Sequence, residues 1–266
     1  MSGFVRRMSP DITPRSQLPM RLEKWYADIV DDGRATILYC ANLQLGPLCI
    51  GYRRTIGRGE TESAQFRLGE ARLPRIERTA LVWPGPARLV WNGCASRAQE
   101  LWNRGARTLT WNPLVLNGEV SGTRLSARAR GYAERLTLEF GPWHLGLASL
   151  RWGRFCGSAH SLVWIEWQGR HDKCVGLLDG QACEVRMHGQ DVHCGGARLT
   201  LGERTTLLQA PIAHFARYTA PLFAKAGALH FLRGTETKWL AQARLDFGGA
   251  EPDRGYAIHE EVVWPR

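Results

Sequence analysis

The sequence predicts an all-β protein made of two consecutive β-barrel or β-sandwich domains with a short helical insertion. Apolar and polar residues alternate within many short segments, which is typical of half-buried strands. Gly and Pro separate these segments at intervals of about eight to twelve residues, as in barrels and sandwiches. A four-residue motif also occurs once in each half, which suggests that the two halves are related.

Length and composition indicate a globular chain with a real core. The 266 residues are 44% hydrophobic and 23% charged, and no apolar run reaches the roughly 18–20 residues of a membrane-spanning helix. Residues 1–20 contain arginine but no apolar segment of a secretory signal, so they are predicted to form a flexible leader. We therefore expect a cytoplasmic protein.

The net charge of +10 raises the question of an acidic partner. Only four of the 35 basic residues are lysine, the arginines are spread along the chain, and no basic run or nucleic-acid motif occurs. We predict no nucleic-acid partner. Peripheral contact with an anionic membrane surface, at the inner face of the membrane, is the more favoured interaction for this charge.

The seven cysteines are odd in number, form no C-x-x-C pair and follow no export signal. They are therefore interpreted as reduced thiols in a cytoplasmic protein, several of them filling the core.

The first predicted domain covers residues 21–149. The segment KWYADIV is followed by Asp31-Asp32-Gly33, which signals a hairpin, and then by ATILYCANLQL. Further predicted strands are AQFRLGEARL, ARLVWNG, RTLTWN, GEVSGTRLSARARGYAE and LTLEF.

The second predicted domain covers residues 150–266. Its predicted strands are SLVWIEWQG, KCVGLLDG, ACEVRMHG, VHCGGARLTLG, TKWLAQARLDFGG and GYAIHEEVVW. Residues 211–233 instead have helical spacing, with Pro221 expected to kink or divide the helix. The favoured interpretation is a helix packed over a barrel end. The alternative is a basic amphipathic surface that touches a membrane or gates a lipophilic pocket.

Internal duplication is suggested by the motif Arg-Gly-Tyr-Ala, found at residues 130–133 and 254–257. Each copy is predicted to close its own half. Residues 25–28 and 163–166 are similar to each other and are interpreted as the two opening strands. The stretch from Leu150 to Gly169, with three tryptophans, would then lie at the boundary between the halves, where ligand sites often form.

Common catalytic signatures are absent. The sequence has no G-x-S-x-G elbow, P-loop, G-x-G-x-x-G or H-E-x-x-H motif. A structural zinc site normally has paired ligands at short spacings, and the nearest group of ligands does not, so we predict no metal. That group is Cys174, Cys183, His188, His193 and Cys194. A Ser-His-acid arrangement around His160 has no identifiable oxyanion hole and is disfavoured.

Carboxylates next to aromatic residues at the edges of both halves are more informative. A carboxylic acid in an apolar pocket has a raised pKa and can hold a proton near neutral pH. Aromatic faces can stabilise a carbocation by about 0.5–2 kcal/mol per ring. Together they suit the protonation of an alkene, although in β-barrels such aromatic residues are more often simply core.

Several of these segments resemble a known family. The opening EKWYADIVDDGRATILYCANLQLG, the strand RGYAE, the segment LRWGRF…LVWIEWQG and the closing GYAIHEEVVWP resemble the lipocalin-like superfamily of carotenoid 1,2-hydratases (hydroxyneurosporene synthases). Tocopherol cyclases, kievitone hydratase and lipocalin-like Diels-Alderases are related to it. The resemblance implies two calycin-like β domains, a lipophilic site in or between them, and cofactor-free chemistry on polyene or prenyl chains. Arg135 and the late Trp152-Gly153 pair depart from the family pattern.

The leading hypothesis is therefore an acid-dependent hydratase or cyclase for a lipophilic isoprenoid or polyene, without a cofactor. Glu134 or Glu166 is the predicted proton donor, and Asp28 is a third candidate. Arg154 is expected to orient the acid or a water molecule. The predicted substrate-binding residues are Trp25, Tyr26, Tyr132, Trp152, Arg154, Trp164, Trp167, Tyr256 and His259. The alternatives are a non-catalytic lipocalin-like carrier of a lipid or pigment and a purely structural interaction module.

Overall fold

The computed structural model describes residues 19–57, 63–85, 88–216, 229–249 and 251–265. These residues form two antiparallel sheets, which confirms the predicted all-β architecture of two consecutive β units with a short helical insertion. The first sheet contains β1 (Met20–Asp31), β2 (Arg34–Leu45), β3 (Leu48–Gly57), β4 (Ser63–Leu68), β5 (Arg75–Glu77), β6 (Ala80–Trp83), β7 (Leu89–Asn92), β8 (Gln99–Arg104), β9 (Arg107–Ser121) and β10 (Arg130–Leu138).

The second sheet begins after a 3₁₀ turn at Pro142–Leu145, and within the described ranges two short helices interrupt it. It contains β11 (Leu147–Gly157), β12 (Ser161–Gly169), β13 (Lys173–Leu178), β14 (Gln181–Cys183), β15 (Val185–His188), β16 (Asp191–Cys194), β17 (Ala197–Pro211), β18 (Thr235–Asp246) and β19 (Asp253–Val263). The helices are α1 (Ile212–Ala216) and α2 (Leu229–Leu232), between β17 and β18.

Both sheets have the same strand order. The first runs β4-β3-β2-β1-β10-β9-β7-β6-β5, with β8 added on β9, and the second runs β14-β13-β12-β11-β19-β18-β17-β16-β15. In each, the first strand is central and pairs with both the second and the last, while the two edge strands are consecutive in sequence. This shared topology supports internal duplication.

The predicted hairpin at Asp31-Asp32-Gly33 joins β1 to β2. Asp32 and Gly33 both have positive φ, of 46° and 72°, which is the backbone of the tight turn that Asp-Gly pairs favour. The turn fixes the register, with Tyr26 opposite Tyr39 and Asp28 opposite Ile37.

Alternation along the central strands divides the core into three layers. Side chains such as Trp25, Ala27 and Ile29 fill the interior of the first sheet, and Phe155, Leu162 and Trp164 fill that of the second. The opposite faces of the same strands form a third cluster that contains residues of both sheets, including Tyr26, Trp111, Tyr132 and Trp152. The two sheets are therefore joined through a buried interface.

The Arg-Gly-Tyr-Ala motif lies on the last strand of each sheet, as predicted. A Cβ at Gly131 would collide with the carbonyl of Asp28, and one at Gly255 would collide with that of Cys156, so both positions require glycine. The prediction for the opening strands was wrong in the second half. The counterpart of β1 is β11, and residues 163–166 lie on β12, because the sheet starts one strand earlier than the sequence pattern indicated.

The described residues include only the two ends of the predicted helix at 211–233, and both ends contain a short helix. Pro211 ends β17, α1 and α2 follow, and residues 217–228, including Pro221, lie outside the described ranges. No helix in the described part of the chain is long and apolar enough to cross a membrane. Contact with an anionic membrane surface remains a prediction.

A disulfide between Cys183 and Cys194 corrects the expectation that all seven cysteines are reduced thiols. It connects β14, at one edge of the second sheet, with β16, next to the other edge. No C-x-x-C motif marks this pair, because the two cysteines are 11 residues apart and meet only when the sheet curls. The disulfide therefore ties the two edges of the second sheet together.

Replacing both Cys183 and Cys194 by Ala should lower the free energy of unfolding by about 3 kcal/mol, the loop-closure entropy expected for a loop of this size. Urea denaturation of oxidised protein, with and without dithiothreitol, measures the difference. The matched control is Cys174→Ser, because Cys174 is a free and exposed thiol. Equal stability of the double variant and the wild type would contradict a bond that closes this sheet.

Candidate functional site

A buried ion pair joins the central strands of the two sheets. Asp28 on β1 is 0% exposed and Arg154 on β11 is 1% exposed. Arg154 Nε donates to Asp28 Oδ2 at 3.0 Å, and Nη2 donates to Oδ1. The Tyr26 hydroxyl also donates to Asp28 Oδ2 at 3.0 Å, and the Tyr132 backbone N–H donates to Oδ1 at 3.3 Å. This bidentate geometry is the strongest form of a carboxylate–guanidinium pair.

The environment holds Arg154 firmly in its charged form. Burial alone would lower the pKa of the guanidinium, but the neighbouring groups, chiefly the Asp28 carboxylate, more than offset this effect and raise the pKa. The remaining Nη1 donates to the backbone carbonyl of Tyr256 at 3.2 Å. Arg154 was predicted to orient the acid or a water molecule, and in the structure it is bound to Asp28.

Glu134 lies beside this pair in a cage of neutral donors. Its Oε2 accepts hydrogen bonds from the Tyr132 hydroxyl at 2.7 Å, from Trp111 Nε1 at 2.5 Å and from Trp152 Nε1 at 3.3 Å. The residue is only 6% exposed. Trp152 comes from the second sheet, whereas the other three residues come from the first, so the cage forms only when the sheets pack together.

Burial raises the pKa of the Glu134 carboxyl above its ordinary value. The positive charge of Lys24 and the three hydrogen bonds act in the opposite direction, but burial dominates. Because all three bonds go to Oε2, a proton on this carboxyl is carried by Oε1. Glu134 therefore has the property expected of a general acid.

Regular pairing of β9 with β10 aligns this cage. Trp111 is opposite Leu136 and Pro113 is opposite Glu134, so Trp111 and Glu134 lie on the same face. The register shifts only beyond this segment, on both sides of Ala133. Leu114 and Val115, in that part of β9, face the interior of the first sheet. Proline has no N–H for the ladder and is tolerated at such bulges.

A second group of buried charges lies on β18 and β19. Lys238 is 1% exposed, and its Nζ is 2.9 Å from Glu236 Oε1 and also contacts the Glu260 carboxylate. Burial lowers the pKa of Lys238 to about 8, although Glu236 opposes the shift. Arg54 Nη1 lies 3.8 Å from Glu236 Oε2. Lys238 and Glu236 face the same interface as Glu134, and no sequence motif had indicated them.

An apolar cavity of about 250 Å³ opens at this end of the interface. The first sheet, helices α1 and α2, and Glu236 enclose it. The lining residues are Leu22, Lys24, Tyr39, Ala41, Leu43, Ile50, Tyr52, Arg54, Phe66, Ile212, Phe231, Leu232 and Glu236. None of the residues predicted from the sequence lines it directly. Tyr39 connects it to the cage, since Tyr39, Tyr26 and Glu134 are cross-strand neighbours in one row on β2, β1 and β10.

A larger groove, of about 460 Å³, lies at a different part of the boundary between the two sheets. Its lining includes Arg97, Glu119 and Asp179, so its wall is more polar, and neither Glu134 nor any aromatic ring borders it. For a lipophilic ligand the smaller apolar cavity is the better candidate, because ligand pockets are mainly apolar with a few placed polar groups.

The structure brings together six of the predicted residues: Tyr26, Asp28, Tyr132, Glu134, Trp152 and Arg154. Trp25 and Trp164 do not reach this group, because they point into the interiors of the first and second sheets. Trp167 and Tyr256 do face the interface. Trp167 Nε1 donates to the carbonyl of His171 at 2.7 Å, and the Tyr256 side chain lies against Gly33.

Glu166 and His259 lie on the opposite faces of their strands. Glu166 is 3.6 Å from Arg151, and Arg151 also binds Glu261, so Glu166 belongs to a partly exposed ion-pair group. His259 stacks on Trp239 with ring centroids 4.9 Å apart. Burial, assisted by the charge of Arg204, lowers the pKa of His259 to about 4. Its ring is therefore neutral at neutral pH.

In the described ranges, no group of three or more His, Cys, Asp or Glu side chains is arranged to hold a metal ion. Two of the cysteines in the weak metal pattern, Cys183 and Cys194, are joined in the disulfide.

Several solved structures are similar to this chain over most of its length. The chain is similar to CghA in a crystal structure with Sch210972, with a TM-score of 0.56 and 12% identity over 92% of this chain and 88% of that one. Kievitone hydratase from Nectria haematococca gives a TM-score of 0.54 and 7% identity over 91% and 88%. A putative AttH from Nitrosomonas europaea gives 0.52 and 8% over the full length of both chains. The chain thus has a lipocalin-like fold.

Neither a model of a known protein family nor a curated protein sequence matches the chain.

Arg154→Met should destabilise the protein by about 3–5 kcal/mol, because it leaves the Asp28 carboxylate buried without its partner. Asp28→Leu should have a similar effect, because it leaves the Arg154 guanidinium buried without its partner. The double variant Asp28→Leu with Arg154→Met should lose much less than the sum of the two single losses. Urea unfolding of the four proteins forms a double-mutant cycle. Additive losses would show that the two side chains are not energetically coupled.

Proposed function

We propose that the chain is a cofactor-independent hydratase or cyclase that protonates a double bond of a lipophilic isoprenoid or polyene, with Glu134 as the acid. The observation that carries this proposal is the Glu134 carboxyl, buried among aromatic rings at the joint between the two sheets with a raised pKa. A general acid of this kind must hold its proton near neutral pH and release it to a substrate carbon.

The similar structures support a hydratase or cyclase in general terms. One of them is named as a hydratase, and another was crystallised with a small molecule. Their sequence identities to this chain, 7–12%, are too low to indicate which substrate it binds. The choice of a carotenoid-like substrate, as in the carotenoid 1,2-hydratases, rests on the sequence resemblance alone.

Among the three predicted acids, the surroundings favour Glu134. Asp28 is the anionic partner of Arg154, and protonating it would break a buried bidentate pair. Glu166 is paired with Arg151 outside the interface. Glu134 is bound by neutral donors instead, so gaining or losing a proton leaves no guanidinium unpaired.

The aromatic rings near Glu134 suit the intermediate that protonation would create. The Trp152 ring lies 4.8 Å from Tyr26 and 5.6 Å from Tyr132, measured between centroids. The faces of such rings stabilise a cation by about 0.5–2 kcal/mol each. Water would then add to the cation and give its extra proton back to the Glu134 carboxylate, which completes hydration. In a cyclisation, an internal double bond would attack the cation, and the new cation would lose a proton to the same carboxylate.

The position and size of the cavity limit the substrate. Glu134 is not part of the cavity wall, and Tyr26 lies between it and Tyr39. A substrate must therefore displace a side chain to receive the proton. A volume of about 250 Å³ is below the range of roughly 300–1,000 Å³ for pockets that hold drug-sized ligands. A short isoprenoid, or one end of a longer chain, fits better than an entire carotenoid.

The separation between acid and cavity also favours the alternative function, a non-catalytic carrier of a lipid or pigment. A carrier needs the cavity but not the acid. Mass spectrometry of organic extracts of the purified protein distinguishes the two, because a carrier retains an unmodified ligand and an enzyme yields a converted product.

Glu134→Gln should lower turnover of a polyene or prenyl substrate by at least about 100-fold, the usual contribution of a general acid. Glutamine is nearly isosteric and still accepts the three hydrogen bonds, so the fold should be retained, as a thermal melt would show. Glu166→Gln is the matched control and should keep most of the activity. Full activity of Glu134→Gln would exclude Glu134 as the acid.

The same acid predicts a pH dependence. Glu134 must be protonated to act, so kcat/KM should be highest below its pKa and fall as the pH rises through it. Because burial raises this pKa, the falling limb should lie at higher pH than for an ordinary glutamate. A pH–rate profile measures the limb. If kcat/KM rises with pH across this range, Glu134 acts as a base rather than an acid.

A further inference from the structure

We infer that Lys24 forms an anion subsite in the apolar cavity, and that the ligand is a lipophilic acid whose carboxylate lies at Lys24. This inference rests on the proposed site between the sheets and specifies the substrate class. It concerns binding, so it can be tested separately from the chemistry at Glu134.

Lys24 is a half-buried cation in the cavity wall. Its ammonium lies over the Tyr39 ring at 5.2 Å from the centroid. Among the described residues, no carboxylate lies within ion-pair distance of it. Lys238 also approaches the Tyr39 ring, at 5.5 Å, but it is paired with Glu236 and Glu260. Of these two lysines, only Lys24 is left to bind an external anion.

A cation on an apolar wall is unfavourable unless an anion or water compensates it. The other two charged residues of this wall, Arg54 and Glu236, lie 3.8 Å apart and offset each other. An alcohol or a hydrocarbon in this cavity would cover the ammonium without neutralising it. A carboxylate would form a charge-assisted hydrogen bond with Lys24, which is about twice as strong as a neutral one.

The remainder of the cavity suits a hydrocarbon body. Leu43, Ile50, Phe66 and Phe231 form apolar walls beyond Lys24. Lys24 is two residues before Tyr26 on β1, and Tyr26 is opposite Glu134 on β10. The positive charge of Lys24 also lowers the pKa of Glu134. A carboxylate bound at Lys24 is therefore placed at the end of the cavity nearest the proposed acid, with the apolar chain extending away from it.

Geranic acid and geraniol test this inference, because they share one isoprenoid chain and differ in the head group. By isothermal titration calorimetry at neutral pH, geranate should bind the wild type at least about tenfold more tightly than geraniol. Lys24→Met should remove this preference and leave geraniol binding within about twofold. Lys24→Arg should retain most of it, because the charge is kept.

Arg67→Met is the matched control. Arg67 is exposed on β4 next to the cavity residue Phe66. The variant therefore removes a nearby positive charge that does not line the cavity. It should preserve the preference for geranate. Equal binding of the two ligands to the wild type, an equal loss of both in Lys24→Met, or no binding of either would overturn the inference.

The two proposals fail in different ways. Glu134→Gln should still bind geranate in preference to geraniol. If that variant keeps full turnover of a polyene, the proposed mechanism is wrong while the anion subsite stands. If geranate has no advantage but Glu134→Gln is inactive, the subsite is wrong while the proposed mechanism stands.

Discussion

The ion pair between Asp28 and Arg154 is the constraint on which the interface depends. Each charge lies on the central strand of a different sheet, and both are fully buried. A buried charge without its partner is costly, so the pair favours an alignment of the two sheets that keeps both charges together. That alignment also delivers Trp152 of the second sheet to Glu134 of the first. The site is a consequence of how the sheets are docked.

The same desolvation argument separates the carboxylates of the interface by role. Glu236 and Glu260 both contact Lys238, and Asp28 is paired with Arg154. Burial would raise the pKa of Glu236, but Lys238 reverses the shift and lowers it. Glu134 has neutral donors in place of a cation, and its pKa is raised. A carboxyl prepared for proton transfer is thus distinguished by the charge of its partners as much as by its burial.

Alternation and turn residues were sufficient to predict the all-β fold, the Asp32-Gly33 hairpin and the motif on each closing strand. The proximity of carboxylates and aromatic residues in the sequence nominated Tyr26, Asp28, Tyr132 and Glu134. These four meet in the structure because adjacent strands align residues of the same parity. The sequence does not show which face of a strand points to the partner sheet. Trp25 and Trp164, which point into the interiors of the sheets, were therefore predicted together with the interface residues. Trp111 was missed because it has no carboxylate beside it in the sequence and approaches Glu134 only through the pairing of β9 with β10. The disulfide depended on sheet closure, which no local pattern contains.

The shared topology explains why the site belongs to one end of the interface rather than being repeated. On the closing strands, Tyr132 is opposite Asp28 and Tyr256 is opposite Cys156, while Glu134 corresponds to Ile258. Burial raises the pKa of Cys156 to about 11, so this counterpart of Asp28 is an uncharged thiol. A symmetric pair of acids would repel across the joint. Placing the carboxylates in the first half and Arg154 in the second makes the halves complementary. The difference between the two halves therefore supplies both the docking of the sheets and a single acidic position.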